Sequence, residues 1–368
     1  MSNPCKQRRF VSHGGDVWGF SRRYKIPLEK VLDFSGPINF LGPSPKAVEA
    51  VKEHSRLIRF YPDPNPVDLR VEIAKYVGQG VNEKNIVLGN GSIELIYMIT
   101  EIFPRSFKAV IPVPSFTEYE KAALRVHGEA IFVQLPEDFA LKTDEIKKAI
   151  TKDTRIVFIC NPHSPSGRLF DKEAILDLVE FCHSRDIVLS VDENYIEFTD
   201  RCNEATMAGF VKKYENLFVI RSVTKFYGMP GIRFGYAIAA ETLKEDLETV
   251  RQPWSINTLA GYATLAAFKD AEFIADTKQT IAKERARFSK MLTEIGGLHV
   301  FPSETNFLLV KILNKRSTST SLREKLAGEG MLIRDCSTFV GLDESFFRVT
   351  VRASDDNSKL AAAMERFL

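Results

Sequence analysis

Short apolar runs alternate with longer amphipathic stretches along the central part of the chain, between residues 86 and 250. The runs have the length of buried strands, and the stretches between them repeat apolar residues at helical spacing. The pattern predicts strands at residues 86–88, 109–113, 130–134, 156–160, 187–191, 217–220 and 234–239, and helices at residues 93–103, 116–127, 172–185 and 243–250. Strands that alternate with helices are typical of a mostly parallel sheet that is covered on both faces. We therefore predict an α/β fold whose large domain has three α/β/α layers.

The pattern changes after residue 253. A long helical stretch at residues 258–295, with a break expected near Asp270, is followed by strands at 306–311, 331–334 and 346–351 and helices at 320–328 and 358–367. This mixture predicts a smaller α+β domain, to which the N-terminal arm adds. The predicted boundaries are residues 1–40 for the arm, 41–265 for the large domain and 266–368 for the small domain.

Composition excludes several classes of protein. The chain has 368 residues, of which 44% are apolar and 27% charged, and its net charge is only +2. A mixed surface of this kind gives no electrostatic reason to expect binding to nucleic acid or to a membrane. The five cysteines are scattered without a CxxC pair, which favours reduced thiols and a cytoplasmic protein. We find no signal peptide, no membrane-spanning run and no pattern that predicts a metal site.

The segment from Leu217 to Tyr236 carries the most informative lysine. Lys225 follows a predicted buried strand, and Ser222, Thr224 and Arg233 lie close to it in the sequence. Burial lowers the pKa of a lysine and makes its amine nucleophilic, as a Schiff base requires. The neighbouring hydroxyl and guanidinium groups are suited to holding a phosphate. The alternative is a lysine in a surface loop, and the residues upstream decide between the two.

Three other groups of polar residues follow predicted strands. Gly91 and Ser92 open a helix, where backbone amides favour an anion, although such a turn is often only structural. Asn161 begins a turn, NPHSPSG, in which it either contacts a ligand or satisfies local backbone groups. Asp192 ends a predicted strand, and a buried carboxylate there needs a cationic partner, either a side chain or a ligand's ring nitrogen.

The motifs NPxxPxG at residues 161–167, DExxY-like at 192–195, SxTK at 222–225 and GxRxGY at 231–236 occur in this order. With them the chain resembles the fold-type I pyridoxal-phosphate enzymes of the aspartate aminotransferase superfamily. The resemblance implies that Lys225 is the catalytic residue and binds the cofactor's aldehyde, and that Asp192 pairs with the pyridine nitrogen. It also implies that Asn161 and Tyr195 contact the phenolic oxygen and that Phe116 stacks on the ring.

The same resemblance implies a phosphate cradle and a homodimer. The residues that would hold the cofactor's phosphate are Gly91, Ser92, Ser222 and Arg233. Tyr61, which opens the proline-rich loop YPDPNP, would reach the cofactor of the neighbouring subunit. No metal ion is implied.

The reaction depends on residues outside the cofactor motifs, because the bond broken is the one held perpendicular to the cofactor ring. Arg334, Arg348 and Arg352 are candidates for binding anionic groups of the substrate, although most arginines are surface charges. The motifs YPDPNP and GNGS, with Arg334 and Arg348, resemble the histidinol-phosphate aminotransferase branch. In that branch one arginine binds phosphate and the other carboxylate.

The start SHGGD, the segment LDFSGPIN and the run IRDCSTFVGLDESFFRVTVR resemble the threonine-phosphate decarboxylases still more. There the arm with His13 would cover a phosphorylated amino-acid substrate, and Asn39, Asn161, Arg334 and Arg348 would bind it. The alternative for His13 is a residue in a disordered tail. Two departures from the family pattern are Gly36-Pro37, which could alter substrate contacts, and His163-Ser164, which we expect not to contact the cofactor.

We therefore predict a decarboxylase of the cobalamin side-chain pathway, with an aminotransferase such as histidinol-phosphate aminotransferase as the main alternative. A non-catalytic cofactor-binding regulator is a third hypothesis. It is disfavoured because Lys225 and the candidate arginines are all present.

Overall fold

The computed structural model describes residues 13–314 and 317–368, so residues 1–12 of the predicted arm lie outside the described residues. The strands are β1 Leu32–Asp33, β2 Ile86–Gly89, β3 Lys108–Val113, β4 Glu129–Gln134, β5 Thr154–Cys160, β6 Val188–Asp192, β7 Leu217–Ser222, β8 Gly235–Ala239, β9 Leu298–Val300, β10 Phe307–Ile312, β11 Met331–Leu332, β12 Arg334–Asp335 and β13 Phe346–Thr350. The α-helices are α1 Val17–Tyr24, α2 Pro45–His54, α3 Val67–Val77, α4 Ser92–Glu101, α5 Glu118–Arg125, α6 Thr143–Ala149, α7 Lys172–His183, α8 Cys202–Ala205, α9 Glu241–Val250, α10 Thr258–Phe268, α11 Ala271–Glu294, α12 Ser319–Gly328 and α13 Ser354–Phe367.

A seven-stranded sheet forms the centre of the molecule, in the order β2-β8-β7-β6-β5-β3-β4. Only β8 runs antiparallel to its neighbours in this sheet, where it pairs with β2 on one side and β7 on the other. The remaining pairs are parallel. The prediction of a mostly parallel sheet is therefore confirmed, and its seven strands are those expected from the apolar runs.

Both faces of this sheet are buried. Along β5, Val157 and Ile159 belong to one apolar core, whereas Ile156 and Phe158 belong to the other. Helices α3, α6, α7 and α10 contribute to the first core, and α4, α5 and α9 contribute to the second. Because successive side chains of a strand point to opposite faces, these two cores account for the predicted three layers.

A second, antiparallel sheet has the order β12-β13-β10-β9, and α11, α12 and α13 cover one face of it. The predicted break in the long helical stretch is confirmed, since α10 ends at Phe268 and α11 begins at Ala271. The single strand predicted at residues 331–334 is wrong. Buried Ile333 separates two short strands, of which β11 pairs with β1 and β12 pairs with β13.

The described part of the arm packs against this second sheet's helices. Asp16 caps α1 through a bond of 2.8 Å from the backbone N–H of Gly19 to its Oδ1. Phe20 of α1 is buried with Val31 and Ala327, and β1 runs parallel to β11. Within residues 13–314 and 317–368, no helix is long and apolar enough to cross a membrane.

Candidate active site

A cavity of about 390 Å³ opens at the carboxyl ends of β5, β6 and β7. In a sheet of this type, the strand ends are where ligands bind. The wall includes residues of the arm, of α4 and α5 and of the loops after the three strands: His13, Ser92, Phe116, Glu118, Cys160, Ser164, Asp192, Tyr195, Thr224, Lys225 and Arg233. The structure thus brings together most of the residues predicted from scattered motifs.

Lys225 lies three residues beyond the end of β7 and is partly buried in the cavity wall. Burial is the main cause that lowers the pKa of its amine to about 8, and the positive charges of Arg348 and Arg233 lower it further. Asp192 and Asp33 oppose this shift. A substantial fraction of the amine is therefore neutral near pH 8, which is the form that attacks an aldehyde.

Asp192 is the last residue of β6 and is buried. The hydroxyl of Tyr119 donates to its Oδ2 over 2.7 Å, and the side-chain amide of Asn194 donates to its Oδ1 over 2.7 Å. Burial raises the pKa of this carboxyl group, while these hydrogen bonds and the charge of Lys225 lower it. Among the described residues, no basic side chain forms a salt bridge with Asp192, so a cationic ring nitrogen is a suitable partner.

The turn after β5 places Ser164, and not Asn161, in the cavity wall. Asn161 is fully buried, and its Oδ1 accepts a hydrogen bond of 2.8 Å from the backbone N–H of Phe170. Its Nδ2 has no hydrogen-bond partner within the described structure. Sequence analysis expected His163-Ser164 not to contact the cofactor, because a serine between a histidine and a proline carries no signal of its own, yet Ser164 lines the cavity. The predicted contacts of Asn161 with cofactor and substrate remain predictions.

Arg348, in the middle of β13, reaches the same turn. Its Nη1 donates to Ser164 Oγ over 3.1 Å and its Nη2 donates to the backbone oxygen of Ser35 over 3.3 Å. The guanidinium carbon lies 4.8 Å from the ring centre of Phe307. The residue is 6% exposed, and in the ranges that the structure describes it forms no salt bridge. A buried guanidinium with only neutral acceptors is suited to binding a carboxylate.

Gly91, Ser92 and Arg233 form an anion cradle at the start of α4. Gly91 has a φ of +79°, and a Cβ at this position would lie 2.5 Å from Nη2 of Arg233. Only glycine therefore allows the guanidinium to approach the helix N-terminus this closely. Near this cradle, the hydroxyls of Ser222 and Thr224 are 2.8 Å apart. The four predicted phosphate-binding residues thus come from elements that meet at the cavity.

Phe116, His13 and Tyr195 complete the predicted wall. The ring centres of Phe116 and His13 are 5.6 Å apart. Tyr195 is buried against Phe307, and burial raises the pKa of its hydroxyl. Nε2 of His13 lies 2.7 Å from Oε1 of Glu118. Glu118 is a second residue that sequence analysis missed, because nothing distinguishes it from other glutamates at a helix N-terminus.

Several predicted residues lie outside this cavity wall, namely Gly91, Asn161, Ser222, Arg348, Asn39, Arg334 and Tyr61. Asn39 is buried and binds the backbone of the lysine loop, since its Nδ2 donates to the oxygen of Phe226 over 2.9 Å. Arg334 is buried and lines a neighbouring cavity of about 220 Å³ that shares His13 with the first. Tyr61 is 82% exposed, and its ring centre lies 5.1 Å from that of Trp254.

The residues present fit pyridoxal phosphate. The cavity offers an amine of lowered pKa, Lys225, and a buried carboxylate, Asp192, that forms no salt bridge among the residues that the structure describes. The glycine at position 91 opens the cradle beside Arg233, as the cofactor's phosphate requires.

Comparison with known proteins agrees with this fit. The family model for aminotransferases of class I and II matches residues 30–367. A protein of Caldanaerobacter subterraneus subsp. tengcongensis that is provisionally named as a threonine-phosphate decarboxylase is 36% identical over 354 residues, which cover 96% of this chain and 92% of that protein.

Two solved structures are similar over nearly the whole chain. The histidinol-phosphate aminotransferase from Clostridium acetobutylicum is 33% identical, with a TM-score of 0.85 over 92% of this chain and 100% of that one. The L-threonine-O-3-phosphate decarboxylase from Porphyromonas gingivalis is 29% identical, with a TM-score of 0.81 over 92% of this chain and 99% of that one. The chain therefore belongs to the aminotransferase class I and II family of fold-type I enzymes, and its cofactor is pyridoxal phosphate.

Proposed function

We propose that the protein is a pyridoxal-phosphate lyase that decarboxylates L-threonine O-3-phosphate to (R)-1-aminopropan-2-ol O-phosphate for cobalamin biosynthesis. The observation that carries the proposal is Arg348, a buried cation whose recorded hydrogen bonds go to the neutral oxygens of Ser164 and Ser35. Its charge also lowers the pKa of Lys225, so the two groups lie close enough for their charges to interact. A substrate carboxylate bound there would lie beside the reacting amine.

Each side chain would have a separate task. Bound pyridoxal phosphate withdraws electrons from the Cα bond that stands perpendicular to its ring. Lys225 would hold the cofactor and deliver a proton to Cα, and Asp192 would keep the ring nitrogen protonated. Arg348 would bind the substrate carboxylate and fix which bond stands perpendicular. Arg334 and His13 would bind the substrate's phosphate from the neighbouring cavity.

Other cofactor contacts follow from the wall of the cavity. Phe116 would stack on the ring, and Tyr195 would donate to the phenolic oxygen. The phosphate would be held by Gly91, Ser92, Ser222 and Arg233. We also infer a cytoplasmic homodimer in which Tyr61 contacts the cofactor of the neighbouring subunit.

A turnover assay tests the reaction. Incubation with L-threonine O-3-phosphate should release carbon dioxide and form the amino-alcohol phosphate without any 2-oxoacid. Conversion of 2-oxoglutarate to glutamate with histidinol phosphate, and no release of carbon dioxide, would instead establish the aminotransferase. That alternative has support from the 33% identity to a histidinol-phosphate aminotransferase of known structure.

Arg348→Lys tests the carboxylate site. Lysine keeps the charge but loses the fork of two N–H donors, so we expect KM to rise about tenfold or more and kcat to fall. Arg352→Lys is the matched control just beyond the end of the same strand, because Arg352 is already neutralised by Asp356 at 3.1 Å, whereas the hydrogen bonds of Arg348 go to neutral oxygens. Equal kcat/KM for Arg348→Lys and the wild type would remove Arg348 from the site.

A further inference from the structure

Residues His13–Asp16, which we call the strap, connect two separate parts of the cavity rim. One contact is with Ser35, in the loop after β1, and the other is with Glu118, at the start of α5. The backbone oxygen of Ser35 accepts a hydrogen bond from Arg348 of the second sheet. Glu118 begins α5, one of the helices that cover the seven-stranded sheet. The strap therefore joins the two sides between which a substrate must enter.

The contact with Ser35 is a close backbone fit. The N–H of Gly15 donates to Ser35 Oγ over 2.7 Å, and Ser35 Oγ donates to Asp33 Oδ1 over 2.6 Å. A Cβ at Gly14 would lie 2.2 Å from the backbone oxygen of Ser35, so only glycine fits there. This end of the strap is fixed by close backbone packing and by the hydrogen bond to Ser35.

The contact with Glu118 depends on a carboxylate. Glu118 is 7% exposed, and its Oε1 accepts from His13 Nε2 over 2.7 Å and from Lys121 Nζ over 2.6 Å. Its Oε2 accepts from the hydroxyl of Tyr97 over 2.7 Å. Burial raises the pKa of this carboxyl group, but the hydrogen bonds from these three residues outweigh burial and lower the pKa to about 2.

Tyr97 reinforces this arrangement. Burial and the Glu118 carboxylate together raise the pKa of the tyrosine hydroxyl to about 12, so it remains a donor. Glu118 thus presents a fully ionised carboxylate to the arm, held in place from behind by Tyr97 and from the side by Lys121. Such a group does not need His13 to be satisfied, because Tyr97 and Lys121 already donate to it.

We propose that Glu118 is a positioning residue, which acts through His13 to hold the strap across the entrance of the cavity. With the strap held, the imidazole stands beside Phe116, where it faces both the main cavity and the neighbouring cavity that contains Arg334. Loss of this contact would remove the strap's hydrogen bond to α5, while its Gly14–Ser35 end stays in place. This role deepens the proposed function, and it concerns a residue outside the cofactor's own contacts.

Hydrogen–deuterium exchange on the cofactor-loaded enzyme tests the anchor without any turnover. In Glu118→Gln the amides at the N-terminal end of the strap, His13 and Gly14, should exchange several-fold faster than in the wild type, and His13→Ala should have the same effect. Because the two residues act through one contact, the double variant should exchange no faster than either single variant. His13→Ala keeps the test open if Glu118→Gln folds poorly.

Lys121→Met is the matched control, since it removes another partner of Glu118 and leaves His13 in place. We expect exchange at His13 and Gly14 to stay at the wild-type rate in this variant. An unchanged rate in both Glu118→Gln and His13→Ala would overturn the proposal. A rise in Lys121→Met as large as in Glu118→Gln would also overturn it, because the effect would then be a general loosening of α5.

Kinetics provide the second measurement. With L-threonine O-3-phosphate, Glu118→Gln should raise KM about tenfold, as expected for the loss of a charged hydrogen bond, and should lower kcat less than it raises KM. With L-threonine, which has no phosphate for His13 to contact, the KM of Glu118→Gln should differ little from that of the wild type. If the wild type does not act on threonine phosphate, the proposed function fails, whereas the exchange measurement still decides the role of Glu118.

Discussion

At the scale of single residues, burial changes the chemistry of the two groups that matter most, Lys225 and Asp192. The pKa of the lysine falls to about 8 and that of the aspartate rises, and each shift has desolvation as its largest cause. Each group also moderates the other's shift, because opposite charges stabilise one another. The neutral amine of Lys225 is then suited to react with an aldehyde, and the buried carboxylate of Asp192 is suited to pair with a ring nitrogen.

The lowered pKa predicts how the cofactor-free protein recombines with pyridoxal phosphate. The neutral amine is the reactive form, so the rate should rise with pH up to about 8 and level off above it. An ordinary lysine would continue to gain reactivity up to its usual pKa of about 10.4. Stopped-flow absorbance from about pH 6 to about pH 11 would measure this, because that range includes both pKa values.

Two controls make the recombination measurement specific. The same rates with free Nα-acetyl-lysine correct for titration of the cofactor itself. Lys225→Ala should give no visible absorption band of bound cofactor at any pH. A band in Lys225→Ala that sodium borohydride removes would show that another lysine binds the cofactor, and a rate still rising well above pH 8 would contradict the lowered pKa.

Site residues whose charge is costly at their position could be predicted from the sequence. Site residues of a type that is frequent in turns and at helix starts could not. Lys225 and Asp192 stood out because a charge at the end of a buried strand is costly and needs a reason. Ser164 and Glu118 belong to residue types that are frequent in turns and at helix starts. Only the fold, which brings β13 and the arm to these two residues, gives them a place in the cavity.

At the scale of elements, the cradle at the start of α4 depends on backbone conformation. Gly91 adopts a φ of +79°, and Gly235 in β8 packs so closely that a Cβ there would lie 2.5 Å from the backbone nitrogen of Ser92. Arg233 itself has a φ of +56°. The loop between β7 and β8 thus places the guanidinium of Arg233 against the N-terminus of α4. An anion bound there would be stabilised by both the guanidinium and the helix N-terminus.

Gly91→Ala should therefore weaken cofactor binding. The new Cβ would meet Nη2 of Arg233 at 2.5 Å and would also strain a backbone of positive φ, so the cradle must open. We expect the apparent Kd for pyridoxal phosphate, from absorbance titration, to rise about tenfold, which corresponds to about 1.4 kcal/mol. The matched control is Gly231→Ala in the same loop, because nothing lies within 4 Å of a Cβ there.

Gly231→Ala should bind the cofactor as the wild type does. Wild-type affinity in Gly91→Ala would show that the cradle does not hold the phosphate. A parallel loss in both variants would point to a general effect of the loop.

Elements with regular patterns were predictable, and those defined by tertiary contacts were not. The seven strands of the large sheet are continuous apolar runs, as expected for strands buried on both faces. In contrast, β1, β11 and β12 are two residues long and exist because partner strands are present. Helix α1 buries only Phe20, which is too weak a pattern to distinguish a helix from an extended arm.

At the scale of the whole molecule, residues of the large sheet and of the arm line the cavity, and Arg348 of the second sheet contacts the wall residue Ser164. Lys225 and Asp192 come from the large sheet, Arg348 comes from the small sheet, and His13 comes from the arm. Binding and bond breaking would thus use different parts of the fold. This division explains why motifs in the large sheet identified the cofactor, while the reaction depends on residues that sequence spacing leaves far apart.

A second copy of the chain is expected to complete the site, since apolar side chains are exposed near the loop that begins at Tyr61. Ile58, Phe60, Tyr61 and Trp254 are between 51% and 82% exposed, which is unusual for a cluster of this size on an isolated protein. The loop itself is held firmly, because buried Arg70 donates to Asn65 Oδ1 over 2.5 Å and pairs with Glu248 at 2.9 Å.

Ile58→Asp should therefore disrupt a homodimer. A charge in the middle of the proposed interface would have to be buried without a partner, so we expect monomers in sedimentation equilibrium at concentrations where the wild type is dimeric. Cofactor affinity should fall in the same variant, because Tyr61 would no longer reach a neighbouring cavity. Leu313→Asp, at a residue that is 58% exposed after β10, is the control and should remain dimeric. A wild type that sediments as a monomer, with full cofactor affinity, would contradict both the dimer and the role of Tyr61.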